Sequence, residues 1–159
     1  MTFETADICD HHVHGLQIAE PLFRTYTGVQ RFSGQITTVK VFEDNHLISS
    51  VLNQPGLGRV LVVDGGGSKR CALIDAQLAG LAVANQWQGI LVYGCVRHAE
   101  RLSSLPIGLL ALNVHPMLAA KHDKGERDIL ITFAGVNFKK DHYLYADNDG
   151  ILVAETKLD

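Results

Sequence analysis

What is scarce in this chain narrows its class before any motif is read. Cysteine occurs only three times in 159 residues, at Cys9, Cys71 and Cys95. An odd, widely spaced set fits neither a disulfide framework nor a zinc pattern, so reduced thiols in a cytoplasmic protein are expected. No apolar run approaches the roughly 20 residues that a membrane span requires. The opening Met-Thr-Phe-Glu-Thr-Ala-Asp lacks a basic segment leading into an apolar one, so no secretory signal is expected either. A basic excess is also missing. Fourteen Lys and Arg stand against seventeen Asp and Glu, for a net charge of -3. Strong direct binding to nucleic acid needs a cationic surface and is not expected. Low-complexity tracts and linkers are absent too. With 47% hydrophobic and 19% charged residues, the reading is one globular domain over residues 1–159.

The organising stretch is Arg59-Val-Leu-Val-Val-Asp-Gly-Gly-Gly-Ser-Lys-Arg70, echoed by Gly89-Ile-Leu-Val-Tyr-Gly-Cys-Val-Arg97. Each is a β-branched apolar run that stops at glycine and then a basic residue, the pattern of a buried strand. Cys71 to Trp87 between them is apolar nearly all round and reads as a crossover helix, with Ser68 as its cap. Strand, helix, strand predicts parallel pairing with both strand C-termini at one edge, where ligands of α/β sheets bind. Arg97 and the Gly65–Ser68 loop should then face each other across a crevice.

The rest of the chain follows in order. Thr5 is a candidate helix cap, and His11, His12 and His14 form a cluster with no further ligand at metal-binding spacing, so a solvated surface group is the reading. Gln35 to Phe42 alternates as a half-buried strand, and His46 to Asn53 carries a helical stripe capped by Asn45. Ile107–Asn113 reads as another strand. Ile129–Phe133, Val136–Phe138, Tyr143–Tyr145 and Ile151–Ala154 read as short antiparallel strands, with Asp147-Asn-Asp-Gly150 as a turn.

Few residues stand out chemically. The Gly65–Ser68 loop offers amides to an anion, yet a tight turn serving close packing is the commoner role of such glycines. Arg97 follows an apolar strand, where its fork suits either a carboxylate ligand or an internal ion pair, and spacing does not separate the two. His98 and Glu100 suit a metal ligand and a base, or an exposed loop.

Taken together, Glu20-Pro21, Gly34-Gln-Ile-Thr-Thr-Val-Lys40, Phe42-Glu-Asp-Asn45, Val60 to Ser68, Tyr93-Gly94, Arg97 and Tyr145-Ala-Asp-Asn148 closely resemble one family. It contains the regulator of ribonuclease activity A (RraA) and the related 4-hydroxy-4-methyl-2-oxoglutarate aldolases. The resemblance implies an α/β fold: a swivelling β/β/α three-layer domain with a central parallel sheet and an additional antiparallel sheet. It also implies a homotrimeric ring, which the apolar 71–87 segment suits.

The resemblance implies two functions. In the aldolases, a Gly-x-x-Leu segment holds the pyruvate end of the substrate, and an Arg-Asp pair supplies a substrate-binding arginine and a ligand for Mg or Mn. Here the matching positions are Asp75-Ala76-Gln77-Leu78 and Arg97-His98. Asp75 places a carboxylate where the substrate's own would go, and His98 is a poor replacement ligand for an oxygen-seeking cation. With Gly66 and Gly67, these residues form a small-anion site, active or vestigial, with His98 as the candidate metal ligand. Both departures point to the regulator branch, whose members bind RNase E and the DEAD-box RNA helicase of the degradosome and need no cofactor. An acidic ring suits basic, RNA-binding segments of such partners without contact to nucleic acid or membrane. A divalent-metal-dependent aldolase and oxaloacetate decarboxylase is the alternative.

Overall fold

The computed structural model describes residues 2–12 and 14–158. In chain order its elements are α1 (Thr5–His11), β1 (Leu16–Ile18), β2 (Arg24–Thr25), β3 (Phe32–Lys40), α2 (His46–Leu52), β4 (Val60–Asp64), β5 (Ala72–Ile74), α3 (Ala76–Ala84), β6 (Gly89–Val96), α4 (Ala99–Leu102), β7 (Gly108–Val114), β8 (Glu126–Arg127), β9 (Ile131–Phe133), β10 (Val136–Phe138), β11 (Tyr143–Ala146) and β12 (Ile151–Ala154). The parallel strands run β3-β4-β6-β7, with Val60 opposite Gly89 and Asp64 opposite Tyr93. The expected parallel pairing of the two glycine-ended strands is therefore present.

β3 joins the two sheet types. Its first half, Phe32 to Gln35, pairs antiparallel with β11, and its second half, Ile36 to Lys40, pairs parallel with β4. β11, β12 and β1 continue the antiparallel side, and β9 with β10 form a separate hairpin. β4 is buried along its whole length because each of its faces has a cover. Leu61 and Val63 join the core under α2 and α3, whereas Val60 and Val62 join Ile131, Phe133, Val136 and Phe138 on the other side. Helices, parallel sheet and antiparallel strands are thus the three layers of a mixed α/β fold. A smaller core of Phe3, Ile8, Tyr145 and Leu152 fixes α1.

Several local expectations change. The 71–87 segment is not one helix: β5 occupies 72–74 and α3 begins at Ala76, because Ala72 and Ile74 are taken up as partners of β6 beyond the end of β4. Ser68 caps nothing. Asn45 precedes α2 without a capping bond from its side chain, and Asp44 Oδ1 accepts the His46 N–H instead, at 2.9 Å. Thr5 is the first residue of α1 rather than its cap: Asp147, in the β11–β12 turn, accepts its N–H at 2.7 Å and its hydroxyl at 2.6 Å.

Asp44 and Asp147 are the carboxylates that the loops depend on. Burial pushes both upward, but the N–H donors of His46, Lys124 and His122 outweigh it at Asp44, and the Thr5 hydroxyl and amide with two further amides outweigh it at Asp147. Both therefore end below the ordinary carboxylate value. Their contribution is fully present above the unfolded value of about 3.9 and disappears as pH falls through the lowered folded values. Urea unfolding should accordingly show stability flat from neutrality to about pH 5 and falling below it. Asp147→Ala should cost about 1–3 kcal/mol at pH 7 and flatten that acid slope.

Candidate functional site

The glycine loop does not present its amides to a ligand. Gly65 and Gly67 both donate to the Tyr93 carbonyl at 3.1 Å, and Gly66 donates to Asp64 Oδ1 at 2.9 Å. Gly66 and Gly67 have φ of 69° and 71°, the left-handed region that favours glycine. A Cβ on Gly65 would strike the Leu73 side chain and the Tyr93 carbonyl. The tight-turn reading is correct: the glycines lower the chain onto β6 so that β5 can resume the line of β4. Ser68 donates its hydroxyl to Glu43 Oε2 at 2.6 Å, and Arg70 Nε meets the same oxygen at 2.6 Å. That pair of hydrogen bonds, Arg70 first, holds Glu43 below the ordinary carboxylate range.

The second half of the sequence-derived site does assemble, in an unforeseen way. Asp75 is the N-cap of α3, with Oδ1 accepting the Leu78 N–H at 2.9 Å. Its Oδ2 lies 3.5 Å from Arg97 Nη2. Arg97 also donates to the Pro116 carbonyl at 3.3 Å and its main chain binds Ile74. Its Nε is buried without a hydrogen-bond partner. An internal ion pair, one of the two roles open to Arg97, is present. His98 sits at φ 64° and turns Nδ1 toward α3, where it accepts the Ala76 N–H at 3.3 Å. When neutral, the ring then carries its hydrogen on Nε2.

Two N–H groups of the first turn of α3, which would otherwise meet an anion, are therefore satisfied by Asp75 and His98. Gln77 is exposed, and Leu78 buries its side chain in the helix-side core. Glu100 is exposed in α4. Gly66 and Gly67 belong to this edge of the sheet, but their amides are committed to the turn.

One part was not legible in the sequence. Asn45 is fully buried, donates to the Leu73 carbonyl at 3.3 Å and accepts from Lys121 Nζ at 3.0 Å. With Asp75, Gln77 and Leu78 these two residues line a cavity of about 470 Å³. The only signal for it was Asn45 itself, a polar residue between a strand and an apolar helix. The residues do not fit a magnesium or manganese ion: both oxygens of Asp75 are engaged, and His98 offers nitrogen to cations that prefer oxygen. No group of three His, Cys, Asp or Glu among the described residues could hold a metal. Burial pushes the Cys71 and Cys95 thiols above the ordinary cysteine value.

Residues 5–153 match the RraA-like family, described as Aldolase/RraA. The chain belongs to this family. Three relatives that span nearly all of it carry different functional names. A Methylococcus capsulatus protein, 59% identical over 99% of both chains, is provisionally named a 4-hydroxy-4-methyl-2-oxoglutarate aldolase. The RNA-processing inhibitor RraA of Thermus thermophilis is 40% identical, with a TM-score of 0.96 over 100% of this chain and 96% of its own. A Geobacillus kaustophilus structure described as an S-adenosylmethionine:2-dimethylmenaquinone methyltransferase is 42% identical, with a TM-score of 0.94 over 98% and 97% of the two chains. Within the RraA-like fold, the site's own geometry has to decide between chemistries.

Replacing Asp75 separates its two duties. Asp75→Asn keeps a competent cap and loses the charge pair, whereas Asp75→Ala loses both. Denaturant unfolding should show the alanine variant less stable by about 1–2 kcal/mol and the asparagine variant by less than half of that.

Proposed function

We propose that this chain is a protein-binding regulator of RNA decay, docking on RNase E and on the DEAD-box RNA helicase of the degradosome to restrain RNA cleavage. The observation that carries the reading is the carboxylate of Asp75 on Arg97 and on the first turn of α3. A lyase of this family needs that arginine for its substrate, and here an internal anion takes its place. The Thermus relative described as an RNA-processing inhibitor supports the same branch, as does the net charge of -3, which favours basic disordered segments. A homotrimer is part of the proposal. Leu81 and Val83 on α3 are only half-buried, and Phe42, Val114 and Met117 are exposed apolar side chains, surface that a partner subunit would cover.

The second reading, a metal-dependent aldolase and oxaloacetate decarboxylase, draws on the provisional name of the Methylococcus relative and on the retention of Arg97. Two assays on one preparation distinguish them. RNase E cleavage of a model RNA should slow in the presence of the protein, and the effect should weaken above physiological salt, where screening shortens below about 8 Å. Oxaloacetate decarboxylation should remain at the buffer rate with magnesium or manganese added. Metal-stimulated turnover together with uninhibited RNase E would establish the lyase instead. Light scattering should give three times the monomer mass, and a monomer at micromolar concentration would overturn the ring.

A further inference from the structure

A second cleft opens at the opposite edge of the parallel sheet from Arg97. It encloses about 600 Å³ and lies where the chain enters β4 and β6, between Leu57, Arg59 and Gln88 on one side and Arg31, Tyr143 and Lys157 on the other. That volume is in the range of small-molecule sites. The charge of its lining runs against the acidic balance of the chain: Arg31, Arg59 and Lys157 contribute to it and no carboxylate among the described residues does, although Arg31 also lines adjoining clefts with Glu4, Asp7, Asp147 and Asp149. Arg59 is held in place by Thr37, the Ile36 carbonyl and Asp141, the last at 2.6 Å, so its charge is largely answered. Arg31 and Lys157 are exposed and make no ion pair among the described residues; the guanidinium of Arg31 lies 6.0 Å from the centre of the Phe3 ring.

The rim of the cleft also carries backbone strain. Leu57 and Gly58 have φ of 54° and 79°. Positive φ at both central positions defines a mirror-image turn normally built from Gly, Asn or Asp. A leucine there is strained, and its side chain is 78% exposed, so no packing within the chain compensates. Backbone strain of this kind collects at binding sites.

We propose that this cleft binds a phosphorylated, ring-bearing small molecule of the nucleoside monophosphate kind. The phosphate would be met by Arg31 and Lys157 and the ring by Leu57 and Tyr143. A dianion suits two cations that make no ion pair among the described residues better than a monocarboxylate does, and a flat ring suits an aromatic wall beside an exposed leucine. The site lies at the other edge of the sheet from the Asp75–Arg97 pair and does not depend on which of the two functions the chain performs.

Calorimetric titration of the intact protein with adenosine 5′-monophosphate should show saturable binding with a sub-millimolar Kd. Adenosine and inorganic phosphate should each bind at least about tenfold more weakly. Trp87, the single tryptophan, packs beneath Gly56 of the same loop, so its emission should shift on binding. The exposed pair Arg31→Gln with Lys157→Gln should weaken binding at least about tenfold, whereas Arg101→Gln at the other edge should leave it unchanged. The proposal is overturned if no heat appears up to about 10 mM nucleotide, or if the double variant binds like the natural protein. Equal affinity for inorganic phosphate would overturn the ring contact. Tighter binding of a 5′-phosphorylated oligonucleotide than of the mononucleotide would make this a nucleic-acid site instead.

Discussion

The buried carboxylate of Asp75 ties the start of α3 to the end of β6. One oxygen closes the first turn of α3, and the other faces the guanidinium that ends β6. Its own position follows from the glycine turn, which seats Leu73 beneath Gly65 and Gly94 and delivers β5 onto the far end of β6. Because Asp75 is almost entirely buried, its charge needs a partner, and Arg97 supplies it. A substrate carboxylate entering here would displace this pair and leave Asp75 uncompensated in a low-dielectric setting. This opposition between Asp75 and an incoming anion is what the proposed regulator reading rests on.

The layered sheet explains why so much polar chemistry is confined to edges. Both faces of β4 are buried in apolar cores, and β3 carries the chain from the antiparallel side to the parallel side within nine residues. Phe32 lies over the starts of β6 and β7, where only glycine at positions 89 and 108 leaves room for its ring. Polar and charged groups then collect at the two ends of the strands: Asp64, Arg97 and His98 at one, and Arg31, Arg59 and Lys157 at the other. The two ends differ in state. At the first Asp75 faces Arg97, and at the second Arg31 and Lys157 make no ion pair among the described residues.

Much of the architecture could be read from local pattern. β4, β6, β7 and the last four strands announce themselves by β-branched runs between turn residues, and α2 by its stripe. The short strands β1, β2, β5 and β8 do not, because pairing rather than propensity makes them strands. Ala72-Leu-Ile74 shares its apolar spacing with the helix after it. The real start signal was Asp75, a strong N-cap residue ahead of an alanine-rich run, which the continuous pattern concealed. Site residues were legible as types but not as partners. That Asp75 meets Arg97, that His98 accepts from Ala76, and that Asp147 caps a helix 142 residues away are long-range facts. Local sequence carries no record of them.

Family membership narrows this chain to chemistries that share one scaffold, and the proposed choice of the regulator over the lyase rests on the internal ion pair. Calorimetric titration of the natural protein with oxalate, a planar stand-in for a pyruvate enolate, in the presence of magnesium addresses that pair directly. The account predicts no saturable heat up to about 10 mM oxalate, because the Asp75 carboxylate already faces the arginine and caps the helix terminus. Stoichiometric, magnesium-dependent oxalate binding that is lost in Arg97→Gln would contradict it.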